Sequence, residues 1–266
     1  MCNGPDLLLP VPGWGELIAK IMPVVASAEG VPDQLCALYA ALNQPLARKR
    51  QPVADTVRVQ PAPYGSRLAE LAQKTVDYSY SLRFANGSFA PLQDHAPNSL
   101  LITAADGEDP DVIWSTVRIA WGAGTDIFEL FTVEAEPYGA GVAPPDNIGS
   151  FGRMAFHPLF DCATALGSAA NLASFNVARI TLTRGLVQVG MAHLRKRSVD
   201  RVYIITSELL HLWFSMCGMK LARVEEAQVA ESDEAAGLRQ RYPGFWQGNL
   251  GVYRLADWDL EPIELV

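Results

Sequence analysis

The chain has little cysteine, no long apolar run and a deficit of positive charge. Its four cysteines among 266 residues (Cys2, Cys36, Cys162, Cys217) are scattered without CxxC spacing. This argues against a disulfide framework and a zinc site, and fits a reducing, cytoplasmic compartment. No stretch of 18 apolar residues occurs, so no membrane-spanning helix is expected. The first ten residues carry no basic segment ahead of the short run Leu7, Leu8, Leu9, and so do not read as a secretory signal. Twenty-one basic against 29 acidic residues give a net charge of −8, which argues against duplex nucleic acid as a partner. The histidines (His95, His157, His193, His211) show no HxH or HxxxH spacing, and no metal centre is expected. A GxxxxGK[ST] phosphate loop and a GxSxG elbow are both missing. Gly139-Ala140-Gly141 lies among prolines rather than at a strand-to-helix turn, so no dinucleotide site is read there.

What is present is a chain with 49% hydrophobic and 19% charged residues, enough apolar content for a large core. Charge is unevenly placed. Residues 84–152 hold ten acids and one base, Arg118. Residues 179–201 hold six bases (Arg179, Arg184, Arg195, Lys196, Arg197, Arg201) and one acid, Asp200. Such a stretch is either a docking face for an acidic partner or a solvated helix end whose cations complement the helix dipole.

Apolar spacing predicts helices over 14–27, 32–46, 66–80, 177–197 and 208–217, the last closed by Gly218 in a left-handed cap. Prolines 45, 52, 61 and 63 read as an extended linker. Residues 1–66 are therefore expected to form an N-terminal helical extension and linker, and 67–266 the main domain. Strands are expected over 99–104, 112–121, 127–133, 151–156, 202–206, 219–224 and 251–255. A run of strands followed by α-β-α-β predicts an α/β (α+β) fold. It would have a mixed, mostly antiparallel central sheet flanked by helices.

Two residues stand out chemically. Arg118 and Arg153 each sit inside an otherwise apolar strand, where a guanidinium needs a carboxylate, a carbonyl cluster or a ligand. On neighbouring strands they would hold a substrate carboxylate; alternatively each pairs with an internal acid such as Glu129 or Glu134. His157, between a strand and Pro158, reads as a surface histidine at a strand end, with a catalytic role as the alternative. Cys162 reads as a small hydrophobe rather than a nucleophile.

These elements carry a family resemblance. Leu82-Arg83-Phe84 at a helix end, Ser115-Thr116-Val117-Arg118-Ile119, and Ser150-Phe151-Gly152-Arg153-Met154-Ala155 resemble motifs of the GNAT acyltransferase superfamily. The nearest pattern is that of the acyl-homoserine lactone synthases and N-acyl amino acid synthases. The helix–strand–helix–strand order of 184–224 is similar as well. The likeness covers about residues 67–255, and it departs at two places. Ser150 stands where the family pattern has glutamate, and 159–172 lacks the glycine-rich pyrophosphate loop of CoA-using members.

The resemblance implies an N-acyltransferase. It would move an acyl group from a thioester, on acyl carrier protein phosphopantetheine or CoA, to the amine of an amino acid or similar small molecule, with no bound cofactor. It implies catalytic roles for Glu129, Glu134, Ser150 and Arg153, with Glu136 a further candidate base. Substrate contacts would come from Arg83, Phe84, Trp114, Arg118 and Phe151. The missing loop and the basic stretch favour an acyl carrier protein docked on Arg195, Lys196, Arg197 and Arg201. Other acyl-thioester chemistry, or non-catalytic binding of an acyl group or carrier, are the alternatives. The sheet is expected to splay between the 127–133 and 151–156 strands, with 138–147 as a lid; if the two lay in separate sheets, the acyltransferase reading would fail.

Overall fold

A computed structural model describes residues 6–25, 54–84, 98–125, 131–133, 146–160, 169–225, 227–229, 236 and 250–255. Ten strands fall within these residues. The first three are β1 (Leu7–Pro10), β2 (Thr56–Ala62) and β3 (Ser99–Asp106), and β4 (Ile113–Trp121) and β5 (Phe131–Val133) follow. Then come β6 (Ile148–Phe156), β7 (Arg201–Ser207), β8 (Leu221–Arg223), β9 (Ala227–Val229) and β10 (Leu250–Leu255). The helices are α1 (Trp14–Val25), α2 (Arg67–Phe84), α3 (Ala169–Arg195) and α4 (Glu208–Met216).

Eight strands form one sheet in the order β1-β2-β3-β4-β6-β7-β10-β8. Its pairs are antiparallel except β6 and β7, which run parallel. Parallel neighbours need a crossover connection, which α3 supplies. The mixed, mostly antiparallel sheet flanked by helices agrees with the sequence. The expected linker does not hold over Thr56–Ala62, which is a strand paired to β1 on one side and β3 on the other. Among the described residues β1 pairs only with Thr56 through Val59, so the N–H that Pro61 lacks costs no ladder bond seen there. Two strands contributed by residues 1–66 thus belong to the main sheet. The expected helix over 32–46 lies outside the described residues.

Each face of the sheet has its own cover. Trp14, Leu17 and Ile18 of α1 and Phe175, Leu182, Leu186 and Leu194 of α3 pack on one face in a single core with Trp114, Ile119 and Phe151. At its centre Trp14 meets Trp114 edge-on at 5.0 Å and stacks on Phe160 at 5.4 Å. Each such pair adds about 0.5–1.5 kcal/mol beyond its buried area. α3 approaches closely at Gly190, where a Cβ would lie 2.6 Å from the Phe151 ring and 3.0 Å from Ile119 Cγ2. The opposite face is covered by α2, whose Ala69, Leu71 and Ala72 pack on Leu101, Ala105 and Ile113.

Local signals set the helix ends. The Ser66 hydroxyl accepts the N–H of Ala69 at 3.2 Å ahead of α2, and Ser207 accepts that of Leu210 at 3.3 Å ahead of α4. Both are N-cap bonds. Gly218 sits at φ +84 beyond α4, as the sequence predicts.

Candidate active site

The expected splay is not where the sequence placed it. Phe131–Val133 pairs with Ala227–Val229 in a separate two-stranded sheet, away from β6. The two segments therefore lie in different sheets, and the arrangement by which they were tied to acyl transfer is overturned. Residues 126–130 and 134–145, which include Glu129, Glu134, Glu136 and most of the expected lid, lie outside the described residues.

An opening exists one strand further on. β6 and β7 pair in parallel only from Ile148↔Arg201 to Phe151↔Ile204. Beyond Phe151 the ladder stops, while β6 continues to Phe156 and β7 continues along β10 to Ser207. Two parallel strands that share their first four rungs and then separate leave a wedge lined by backbone.

A bulge sits at the mouth of this wedge. On the β4 side Thr116 faces Ala155 and Arg118 faces Gly152, so Arg153 and Met154 together oppose Val117. Arg153 takes φ +52, the left-handed conformation usual for glycine at such a position. A non-glycine residue held there costs on the order of 1–3 kcal/mol, a cost typically kept where function uses it. Ser115 ties the bulge down by donating its hydroxyl to the Ala155 carbonyl at 2.8 Å.

Side-chain alternation then sorts the site residues by face. Gly149 and Phe151 both face α3, since a Cβ at Gly149 would meet Leu194 and a Cβ at Gly190 meets Phe151. Ser150 between them therefore faces α2. By the same logic Ile119 faces α3 and the adjoining Arg118 faces α2. Arg118 is buried, and its Nη2 donates to the Gly124 carbonyl at 3.1 Å. Arg153 acts electrostatically on Asp77 of α2. Ser150, Arg118 and Arg153 thus converge on the α2 side of the wedge, with Arg118 directly opposite Gly152.

Asp77 is the residue that sequence reasoning missed. It is buried, and the Gln73 amide donates to its Oδ1 at 2.8 Å. Burial pushes its carboxyl above the ordinary aspartate range, partly offset by the Gln73 hydrogen bond and by the Arg153 charge. The available signal was an aspartate inside the helical stretch Thr75-Val76-Asp77-Tyr78-Ser79, a run that the structure buries throughout.

Other expected site residues go elsewhere. Trp114 is fully buried against Trp14, and Phe151 packs under α3, so both lie in the core on the face away from Arg118 and Arg153. Arg83 and Phe84 end α2, and their side chains fall outside the described set. His157 is not on the surface: it is fully buried, its ring 5.5 Å from that of Trp114, and its Nδ1 accepts the Leu159 N–H at 3.2 Å. Packing on Trp114 overrides its place at a strand end. Cys162 lies outside the described residues. Burial raises the Cys217 thiol to about 12, so it is inert at neutral pH.

The basic stretch is only partly available. Arg179 lies 5.3 Å from the Phe160 ring centroid and donates to the Phe160 carbonyl. Arg197 caps the Trp121 ring at 4.2 Å and donates to the His193 carbonyl. Arg201 is half-buried beside Asp200, with Nε to Oδ1 at 3.6 Å. Arg195 and Lys196 are the exposed pair. Among the described residues no helix is long and apolar enough to cross a membrane.

No family model and no curated protein sequence matches the chain. Among solved structures it is similar to the AHL synthase LasI, at 10% identity and a TM-score of 0.44 over 75% of this chain and 88% of that one. It is similar to FeeM, an N-acyl amino acid synthase from uncultured soil microbes, at 14% identity and a TM-score of 0.43 over 76% and 92% of the two chains. MesI, a CoA-dependent acyl-homoserine lactone synthase, aligns at 14% identity and a TM-score of 0.40 over 74% and 84%. At these scores and identities the likeness by itself assigns this chain no activity.

Proposed function

We propose that the chain is an N-acyltransferase that moves an acyl group from a thioester to the amine of an amino acid or similar small molecule. The observation that carries this reading is the wedge between β6 and β7, with the strained bulge bearing Arg153 at its mouth and Arg118 alongside. A thioester arm fits a backbone-lined slot of this kind, because amides fixed in a strand can polarise its carbonyl without reorganising. The reading rests on this wedge and not on the splay expected from sequence.

In the reaction a neutral amine attacks the thioester carbon, the N–C bond forms and the C–S bond breaks. The sulfur leaves with the donor arm as a thiolate, and the proton lost by nitrogen passes by way of a base to that sulfur, giving the free thiol. Glu129 and Glu134 are the proposed bases, with Glu136 a further candidate, and Ser150 orients a water between base and amine. Arg118 and Arg153 hold the acceptor's carboxylate, so that its amine sits within attack distance of the carbonyl. Arg83 and Phe84 are proposed as further contacts of the acceptor, while Trp114 and Phe151 back the two arginine-bearing strands from the core. The donor is proposed to be acyl carrier protein, docked on Arg195 and Lys196 with Arg197 and Arg201 behind them; acyl-CoA is the other donor to try.

Incubation with acyl-loaded carrier protein and a panel of amino acids, followed by intact mass of the carrier, tests this. Amine-dependent deacylation with a new N-acyl product is expected. The neutral Ser150 in place of an acid favours a second reading, binding without chemistry; stable carrier association with no turnover would establish it and refute acyl transfer.

A further inference from the structure

Gly152 has no reason within the fold to lack a side chain. For nine other glycines of the described residues the reason is plain: φ is positive, or a Cβ would come within 3.0 Å of another atom. Gly152 has neither, since its φ lies outside the left-handed region and no described atom falls within 4 Å of where its Cβ would be. Gly149, on the same strand, shows the contrast: a Cβ there would meet Val199 Cγ1 at 3.0 Å and the Ala120 carbonyl at 3.1 Å. The bulge does not call for glycine at 152 either, because the positive φ is that of Arg153. Glycine inside a strand weakens it, and β6 lies in the interior of the sheet, between β4 and β7. Yet Gly152 is the one exposed residue of that strand.

We infer that the space over Gly152 receives the α-carbon of the acceptor, so that the missing side chain is what admits an amino acid larger than glycine. This inference rests on the acyl-transfer reading and deepens it by naming the position that sets acceptor size. Gly152 pairs with Arg118, and residues directly opposite on antiparallel strands share a face. Its open side is therefore the α2 side, where Ser150 and Arg153 flank it along β6. The ladder from β6 to β7 has ended one residue earlier, at Phe151, so Gly152 lies at the mouth of the wedge. A strand glycine without a packing role marks a place where a ligand comes close to the backbone. An acceptor carboxylate held by Arg118 lies across from Gly152, and the α-carbon is one bond from that carboxylate. The substituent on the α-carbon then needs the room that a side chain at 152 would take.

The test uses the full chain, with acyl carrier protein and acyl-CoA each tried as donor and with glycine and leucine as acceptors. The wild-type protein is expected to use both acceptors; use of glycine alone would overturn the inference. Gly152→Ala should lower kcat/KM for leucine about tenfold or more, through the leucine KM, while glycine changes less than about threefold and the donor KM is unmoved. Gly152→Val should abolish transfer to leucine and keep transfer to glycine. Independently of turnover, Gly152→Ala should unfold in urea at or above the wild-type midpoint, because the folded chain has room for the methyl group. A lower midpoint would give this glycine a reason within the fold and sink the inference. Gly149→Ala is the control: its midpoint should fall and its leucine-to-glycine ratio should hold, and a ratio shifted as far as in Gly152→Ala would show only a general disturbance of β6. Equal losses with both acceptors would overturn the acceptor filter while leaving acyl transfer intact. So would a raised donor KM at an unchanged ratio, which would assign the space to the donor arm. No transfer by the wild-type protein from either donor would overturn the acyl-transfer reading, and the filter with it.

Discussion

Gly190 ties the core to the mouth of the wedge, and Gly190→Ala probes that tie directly. A methyl group at this position of α3 would lie 2.6 Å from the Phe151 ring and 3.0 Å from Ile119 Cγ2. Alanine in a helix interior is favoured over glycine by about 1 kcal/mol. Forcing a methyl into a filled core costs about 1–3 kcal/mol. Both contacts are with buried side chains on adjoining strands that have little room to yield, so the clash should outweigh the propensity gain. A net destabilisation of up to ~2 kcal/mol is expected. It would appear in urea unfolding as a lower midpoint at unchanged slope. Phe151→Leu removes the ring atom responsible for the closer contact, and in that background Gly190→Ala should cost about 1 kcal/mol less. Phe151 is also the last residue of β6 paired to β7, so displacing it should misalign the wedge and lower kcat/KM on the order of 10- to 100-fold. A stabilising Gly190→Ala, or an equal shift in both backgrounds, would refute this account of how α3 seats on β6.

Arg153→Lys should lose most transfer activity while leaving the unfolding midpoint within about 1 kcal/mol of wild type, since lysine keeps the charge but not the fork; near-normal turnover would remove Arg153 from the acceptor site. Arg195→Glu should raise the carrier-donor KM more than it lowers kcat, and the wild-type rate with carrier should fall as salt rises beyond ~0.15 M; an equal rate with acyl-CoA and no salt response would show that this helix end is only solvated. Arg197→Glu should in addition destabilise the protein by about 0.5–1 kcal/mol, because it loses its seat on Trp121. His193 is held below the ordinary histidine range by burial, with Arg197 and Lys196 adding to the effect. The unfolded state therefore binds more protons than the native one just below the ordinary histidine value of about 6.5, and stability should fall as pH drops through that window. His193→Gln should flatten that fall, and an unchanged profile in thermal unfolding would assign it to other groups.

The periodic elements were legible because their signals are local. α4 shows its apolar run and Gly218 in one short stretch, and structure and sequence agree there almost to the residue. Strand partners are a different matter, since pairing depends on residues far apart in the chain. Phe131–Val133 is apolar enough to read as a strand, but nothing in three residues says that Ala227–Val229, rather than a neighbour in sequence, will pair with it. Pro61 argued for a linker because its tolerance in β2 depends on where β1 ends, a fact of register. Arg118 and Arg153 stood out because an arginine in an apolar strand must be explained. Asp77 did not stand out, because an aspartate in a helix is usually a solvated one, and only packing reveals that this one is buried. The same limit hid the burial of His157 against Trp114.

The place of β10 between β7 and β8 bears on how the wedge comes into being as the chain is made. β7 forms one wall, and among the described residues its outer edge is covered by residues 250–255, more than forty positions beyond its end. β8 emerges earlier but pairs with β10 and not with β7. Until β10 arrives, a growing chain would therefore present β7 as an open, apolar edge, the kind of surface on which other strands add. The wall would be among the last parts of the sheet to close, and its closure requires long-range pairing that is intrinsically slow. Synthesis that stalls between residues 207 and 250 would release a chain with the arginine-bearing strands already in order and their opposite wall exposed to aggregation.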